Sequence, residues 1–203
     1  MTKQNIYIIA LFLLFLSCNK DKANDPQIRP NGLENSFYME IDSLNWEPTQ
    51  MTPGLCNSAF IGEWSGINDI EIYQLTAYKD SAKQISFKSQ NFFTIQIFDV
   101  KGIGVYEMDK FEIGSLYSGS YAYFVINYPG NYKTYMAKKS NNKASFFVEI
   151  KELKPRKGSA LKTMKANFYG TLYNKDNDND SIVISNGSFD IKRPNGSFRH
   201  CSE

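Results

Sequence analysis

The chain has 203 residues, of which 42% are hydrophobic and 15% aromatic, and its 23 basic and 21 acidic side chains give a net charge of +2. This composition excludes wholesale disorder, and Gly and Pro show no repeat of the kind that fibrous proteins contain. Lys and Arg are scattered along the chain rather than clustered, so no nucleic-acid partner is expected.

The amino-terminal residues have the pattern of an export signal. One cation, Lys3, precedes an apolar run over residues 6–16, and the small residue Ser17 stands directly before Cys18. A helix needs about 20 apolar residues to cross a bilayer, so the run predicts a cleaved signal peptide over residues 1–17 rather than a membrane span. Its ending resembles the lipobox of bacterial lipoproteins, which implies that the thiol of Cys18 is acylated. An ordinary secretory signal with a chance cysteine is the alternative.

The segment after the signal is predicted to be a flexible tether. Residues 18–33 are polar, contain two prolines and show no apolar period. We expect a single β domain to follow over residues 34–203. Acyl chains on Cys18 would hold the protein to a bilayer surface, so the predicted location is the bacterial cell envelope, at the outer membrane, on a face that the sequence leaves open.

Two cysteines remain once Cys18 is assigned to the lipid. Cys56 and Cys201 are expected to form a disulfide, because pairs of otherwise unpaired cysteines often bond in oxidising compartments. Two free thiols are the alternative, since a sequence does not show how far apart two cysteines lie.

Strict alternation of apolar and polar residues dominates the rest of the chain and predicts β-strands. Phe93, Ile95 and Ile97 alternate with Thr94, Gln96 and Phe98. The same pattern recurs over residues 146–151 and 164–173, where Gly170 interrupts the run and predicts a bulge or a bend. Further strands are predicted at residues 37–41, 70–78, 85–88, 121–127, 132–136, 182–185 and 189–191.

Turn signals separate these strands. They are found at Pro53-Gly54, Pro129-Gly130, residues 139–143, residues 176–180 and Asn186-Gly187, the last of which predicts a tight hairpin turn. One helical turn is allowed over residues 111–120. The predicted fold is therefore all-β, an antiparallel meander that forms a two-layer sandwich or an open barrel-like domain.

Two stretches of the predicted domain resemble a family of uncharacterised Bacteroidetes lipoproteins. Residues 37–46 are similar to the opening strand, turn and tryptophan of that family, although its usual turn glycine is missing. Residues 164–172 and 182–189 are similar to its paired closing strands. The resemblance implies an exported β-rich domain, and it carries no catalytic residues over.

The sequence offers little support for an enzyme. His200 is the one histidine, and it stands beside Cys201 near the end of the chain, where a rigid nucleophile pair is not expected. No metal- or phosphate-binding catalytic motif occurs. A hydrolase that uses two carboxylates distant in sequence stays an alternative.

The acidic run Asp176, Asp178 and Asp180 is a weak candidate calcium site. Alternating carboxylates suit calcium, but the sixth position of an EF-hand loop is Ser181 here and the twelfth is Gly187. A solvated hairpin loop is the preferred interpretation, so no metal and no cofactor are predicted.

The high aromatic content is the remaining indication of a binding site. Trp46, Trp64, Tyr169 and Tyr173 are candidates for stacking on a ligand such as a sugar, and Phe98 and Phe147 also lie on nominal outer faces of strands. Core packing is the default alternative for such rings.

The sequence therefore favours a lipid-anchored envelope domain with a non-enzymatic binding or accessory role. Its partner would be a glycan or an envelope protein. The alternatives are a carboxylate-dependent glycan hydrolase and a lipoprotein that inhibits a secreted toxin.

Overall fold

The structure is a computed structural model, and it describes residues 35–49, 59–80, 90–109, 119–128, 131–140 and 143–196. Regular structure in these residues consists of β-strands. The strands are β1 Ser36–Ile41, β2 Leu44–Trp46, β3 Phe60–Ile67, β4 Ile70–Asp80, β5 Gln90–Phe98, β6 Gly104–Glu107, β7 Tyr121–Tyr128, β8 Asn131–Met136, β9 Lys139–Ser140, β10 Lys143–Ala144, β11 Phe146–Pro155, β12 Lys162–Asn174, β13 Ser181–Ile191 and β14 Asn195–Gly196.

Twelve of these strands form one sheet that curls into a half-barrel. The strand order is β14-β3-β4-β5-β7-β8-β12-β13-β1-β2, and β11 pairs with β12 while β6 pairs with β11. Pairing is antiparallel except between β14 and β3. Strands β9 and β10 form a separate short ribbon inside the stretch predicted as a turn at residues 139–143. The predicted all-β antiparallel fold is confirmed, in its open barrel-like form.

The core lies where strands β4 and β5 face β12 and β13 across the curled sheet. Phe93 of β5 stacks on Phe168 of β12 with ring centroids 5.2 Å apart, and Tyr73 of β4 stacks on Phe189 of β13 at 5.9 Å. All four rings are buried. The alternation that predicted β5 is confirmed, because the apolar positions of this strand point into the core.

Two hairpins turn without glycine. Asp42 and Ser43 join β1 to β2 with φ of 50° and 67°, and Asn68 and Asp69 join β3 to β4 with φ of 48° and 66°. Positive φ at both central residues is the signature of a type I′ turn, which matches the twist of paired strands. Short polar residues tolerate this conformation better than other side chains.

Strands β3 and β6 were not among the predicted strands.

The hairpin predicted at Asn186-Gly187 is wrong, because both residues lie inside β13. Asn186 does have a positive φ, of 51°. It is the extra residue of a β-bulge, and the register shifts there against both β1 and β12. The long neighbour β12 pairs with β13 on both sides of this point, so the strand continues instead of reversing. Gly170, where a bulge or a bend is predicted, borders the same register shift in β12, but the extra residue lies in β13.

Several predicted features lie outside the described residues. These are the strand at residues 85–88, the turns at Pro53-Gly54 and Pro129-Gly130, and most of the helical turn at residues 111–120.

Candidate functional site

The bulge in β13 opens a shallow groove of about 680 Å³ on the outer face of β12 and β13. Pockets of this volume are in the range that small ligands occupy. The described lining comes from β11, β12 and β13. It consists of Glu149, Asn167, Phe168, Tyr169, Gly170, Val183, Ile184, Ser185, Asn186, Gly187 and Ser188.

Two glycines keep the floor of the groove open. A Cβ atom at Gly187 would lie 2.3 Å from ring carbons of Phe168, and one at Gly170 would lie 2.3 Å from the carbonyl oxygen of Ser145. Gly170 also has a φ of 140°, a conformation that residues with a side chain rarely adopt. Larger residues would displace the core ring or the neighbouring backbone.

Tyr169 lines the groove, and its ring is supported by a second ring outside the lining. Phe147 of β11 and Tyr169 of β12 are directly opposite in the strand register. Their rings stack with centroids 5.7 Å apart and an angle of 29° between planes. Tyr169 is 47% exposed, so the pair holds an accessible ring at a fixed orientation.

A carboxylate beside the groove holds two of its polar side chains in place. The carboxylate of Glu40 on β1 accepts hydrogen bonds from the hydroxyl of Tyr38 at 2.7 Å, the amide of Asn186 at 2.9 Å and the hydroxyl of Ser185 at 3.2 Å. The hydrogen bond from Tyr38, followed by that from Asn186, lowers the pKa of Glu40. Glu40 therefore stays ionised near neutral pH and fixes Ser185 and Asn186.

A row of polar side chains runs beside the aromatic pair. Glu149 of β11 is opposite Asn167 of β12, and Asn167 is opposite Ser188 of β13. Glu149 also forms an ion pair with Lys151, at 2.5 Å. An exposed ring next to amide, hydroxyl and carboxylate groups suits a ligand that has one apolar face and a rim of hydroxyls.

The four aromatic residues predicted to stack on a ligand lie in different places. Tyr169 lines the groove, whereas Trp46 and Trp64 are each 7% exposed and pack in the core. The indole nitrogen of Trp64 donates a hydrogen bond to the carbonyl of Lys162 at 2.7 Å. Tyr173 lies further along β12, with the ammonium of Lys138 5.8 Å from its ring centroid. Both tryptophans are therefore largely buried, and Trp46 also lines a second cavity.

The acidic loop between β12 and β13 is bound to lysines. Asp180 accepts hydrogen bonds from Lys133 at 2.9 Å, Asn174 at 2.8 Å and Tyr135 at 3.1 Å, and Asp178 forms an ion pair with Lys138. The hydrogen bond from Lys133, followed by that from Asn174, lowers the pKa of Asp180. Among the residues that the structure describes, no group of three or more His, Cys, Asp and Glu side chains is placed to hold a metal ion.

Other predicted site residues lie outside the described part of the chain. They are Cys18, Cys56 and Cys201, and His200 is outside it as well, so acylation and the disulfide stay predictions. In the described residues, no helix is both long and apolar enough to cross a bilayer.

Sequence reasoning missed Glu40 and Ser185, and it used the Asn186-Gly187 signal for a turn. The signal for a positive φ was present at Asn186. The sequence does not indicate the hydrogen-bond partner of Asn186, because Glu40 lies 146 residues away along the chain.

Comparisons with known proteins agree with the resemblance at the level of an uncharacterised family. The model of a domain of unknown function, DUF5025, matches residues 34–192. Searches of curated proteins and of solved structures each found no match. The matched segment includes every strand of the sheet from β1 to β13, and on this evidence the chain belongs to the DUF5025 family.

Proposed function

We propose that this protein is a lipid-anchored domain of the cell envelope that binds a glycan in the β13 groove without catalysing a reaction on it. The observation that carries the proposal is the exposed ring of Tyr169, stacked on Phe147 beside the polar row of Glu149, Asn167 and Ser188. A pyranose ring has an apolar face that packs on an aromatic ring, and its hydroxyls need hydrogen-bond partners on the same side.

The ionised state of Glu40, the carboxylate beside the groove, favours binding over hydrolysis. A glycoside hydrolase needs a general acid, which is a carboxyl group with a raised pKa. Hydrogen bonds from Tyr38, Asn186 and Ser185 lower the pKa of Glu40 instead. The carboxylate of Glu149 forms an ion pair with the ammonium of Lys151 at 2.5 Å. Both groups are suited to accept hydrogen bonds from a ligand.

The binding proposal is tested with the full-length chain in lipid nanodiscs on an array of bacterial and plant glycans, with empty nanodiscs as the blank. Tyr169→Ala should weaken binding of any glycan retained by the wild type by about tenfold, since the ring supplies the stacking surface. Tyr132→Ala is the matched control, because Tyr132 is an exposed tyrosine (67%) on β8, outside the groove. Equal losses in the two variants, or a wild type that retains no glycan, would refute the proposal.

The amino-terminal residues support the proposed envelope location. An apolar run that ends in Ser17-Cys18 supports processing as a Bacteroidetes-type lipoprotein, with Cys18 acylated and the domain tethered at the outer membrane. Cells grown with a labelled fatty acid should incorporate the label into the wild type and not into Cys18→Ala. Labelling of both proteins to the same level would remove the lipid anchor from the proposal.

We further propose that Cys56 and Cys201 are bonded, because an exported chain that uses Cys18 for lipid retains this pair. Non-reducing peptide mass spectrometry should find the two cysteines linked. Two thiols that react with an alkylating agent in freshly isolated protein would contradict the bond.

A further inference from the structure

A second cavity lies between the β1–β2 hairpin and the facing strands, and its lining is separate from that of the β13 groove. It has a volume of about 350 Å³ and is bounded by the β1–β2 hairpin on one side and by β4, β5 and β7 on the other. None of its described lining residues is shared with the groove. A ligand in this cavity would therefore be independent of the proposed glycan.

Apolar side chains make up much of the lining of this cavity. Trp46 and Phe124 meet edge to face at its base, with ring centroids 5.7 Å apart, and Ile126 lies beside them. Leu44 stands at the rim and is 74% exposed, the most exposed large hydrophobic residue among those described. Covering exposed aliphatic surface with the apolar part of a ligand favours binding.

Lys79 is the one cationic residue in the described lining of this cavity. The ammonium of Lys79 lies 5.8 Å from the ring centroid of Trp46 and lines the cavity. None of the ion pairs found among the described residues involves Lys79. The one carboxylate of the described lining, that of Asp42, accepts a hydrogen bond from the backbone N–H of Val183 at 2.8 Å, so it is held toward β13. The cavity thus has an available positive charge next to an apolar surface.

We infer that this cavity binds an amphiphile with one anionic head group, of the class of medium-chain fatty acid anions. The head group pairs with Lys79, and the alkyl chain packs on Trp46, Phe124 and Leu44. Charge complementarity selects an anion, and the apolar walls select an alkyl chain over a sugar.

The test is isothermal titration calorimetry, which measures the affinity of the full-length chain in nanodiscs for decanoate, decanol and decyltrimethylammonium. Empty nanodiscs are the blank. Lys79→Met should weaken decanoate binding about fivefold, as expected for a partly exposed ion pair, and leave decanol binding unchanged. Leu44→Ser should weaken both ligands. Since Leu44 is largely exposed, this variant is expected to fold normally.

Lys162→Met is the matched control, because the ammonium of Lys162 lies 5.7 Å from the ring centroid of the other tryptophan, Trp64, outside the cavity. It should bind decanoate like the wild type. Decanoate affinity equal in Lys79→Met and wild type would overturn the inference, as would decyltrimethylammonium binding as tight as that of decanoate. Glycan binding through Tyr169 should be the same in Lys79→Met, so the two proposals fail separately.

Discussion

The hydroxyl of Tyr73 is buried in the core with no hydrogen-bond partner among the described residues. Burial, together with the charge of Glu63, raises the pKa of Tyr73 well above its ordinary value, so the group stays neutral. A buried polar group without a partner costs about 1–3 kcal/mol. The ring is nevertheless well placed, since it stacks on Phe189 and meets Trp64 edge to face at 4.9 Å.

Replacing this tyrosine should stabilise the protein. Tyr73→Phe keeps both ring contacts and removes the unpaired hydroxyl, so we expect the free energy of unfolding to rise by about 1 kcal/mol. Urea denaturation measures the change. Tyr135→Phe is the control of opposite sign, because it removes the hydrogen bond to Asp180 and should cost about 1 kcal/mol. A destabilised Tyr73→Phe would mean that the hydroxyl has a partner.

At the scale of the strand, the bulge in β13 produces the groove. An extra residue in a central strand breaks the alternation of inward and outward side chains and re-aims those beside it. Asn186 points outward to Glu40, and Gly187 lies against the ring of Phe168. One local irregularity therefore creates both the polar rim of the groove and its open floor.

A side chain at position 187 should destabilise the folded protein. Gly187→Ala would place a methyl group 2.3 Å from ring carbons of Phe168, and we expect a loss of about 1–3 kcal/mol in the free energy of unfolding together with weaker glycan binding. Gly66→Ala on β3 is the matched control, since its nearest contact would be a carbonyl oxygen at 3.3 Å. It should be neutral or stabilise by up to about 1 kcal/mol. Equal effects of the two substitutions in denaturant unfolding would contradict the steric argument.

At the scale of the whole molecule, a narrow junction between β8 and β12 joins the two halves of the sheet. The strands pair there at Tyr173 with Met136 and at Asn174 with Tyr135. Asp180 reinforces the junction, because its carboxylate accepts hydrogen bonds from Lys133 and Tyr135 on β8 and from Asn174 on β12. The acidic loop, a weak calcium candidate in the sequence, thus helps to join the two halves of the sheet.

This junction should weaken in acid. The pKa of Asp180 is lowered by its hydrogen bonds to Lys133 and Asn174, so its contribution to stability is complete above the ordinary value of 3.8 and is lost as pH falls through the lower value of the folded state. Asp180→Asn should be less stable than the wild type at pH 6, and the difference should shrink as the pH is lowered below 3.8. Urea midpoints measured across this pH range give the comparison.

Asp176→Asn, an exposed neighbour in the same loop, should follow the wild type at every pH. A stability difference for Asp180→Asn that does not change with pH would show that the ionised carboxylate is not what stabilises the junction.

The sequence by itself determined the features that depend on near neighbours. Apolar residues at every second position specified the strands of β5, β11 and β12 and the side of each that faces the core. The Asn186-Gly187 pair indicated a positive backbone angle, which the structure has at Asn186. These are properties of a few consecutive residues, so they can be predicted without knowing what those residues pair with.

Only the tertiary structure decided which of these features form a site. Whether Asn186 makes a hairpin turn or a bulge depends on β1 and β12, which pair with it from distant parts of the chain. The same dependence separates Tyr169, which remains exposed, from Trp46 and Trp64, which are covered when the sheet curls over its core. Strand pairing and burial are set by contacts between remote segments, and a local pattern does not specify which segments meet.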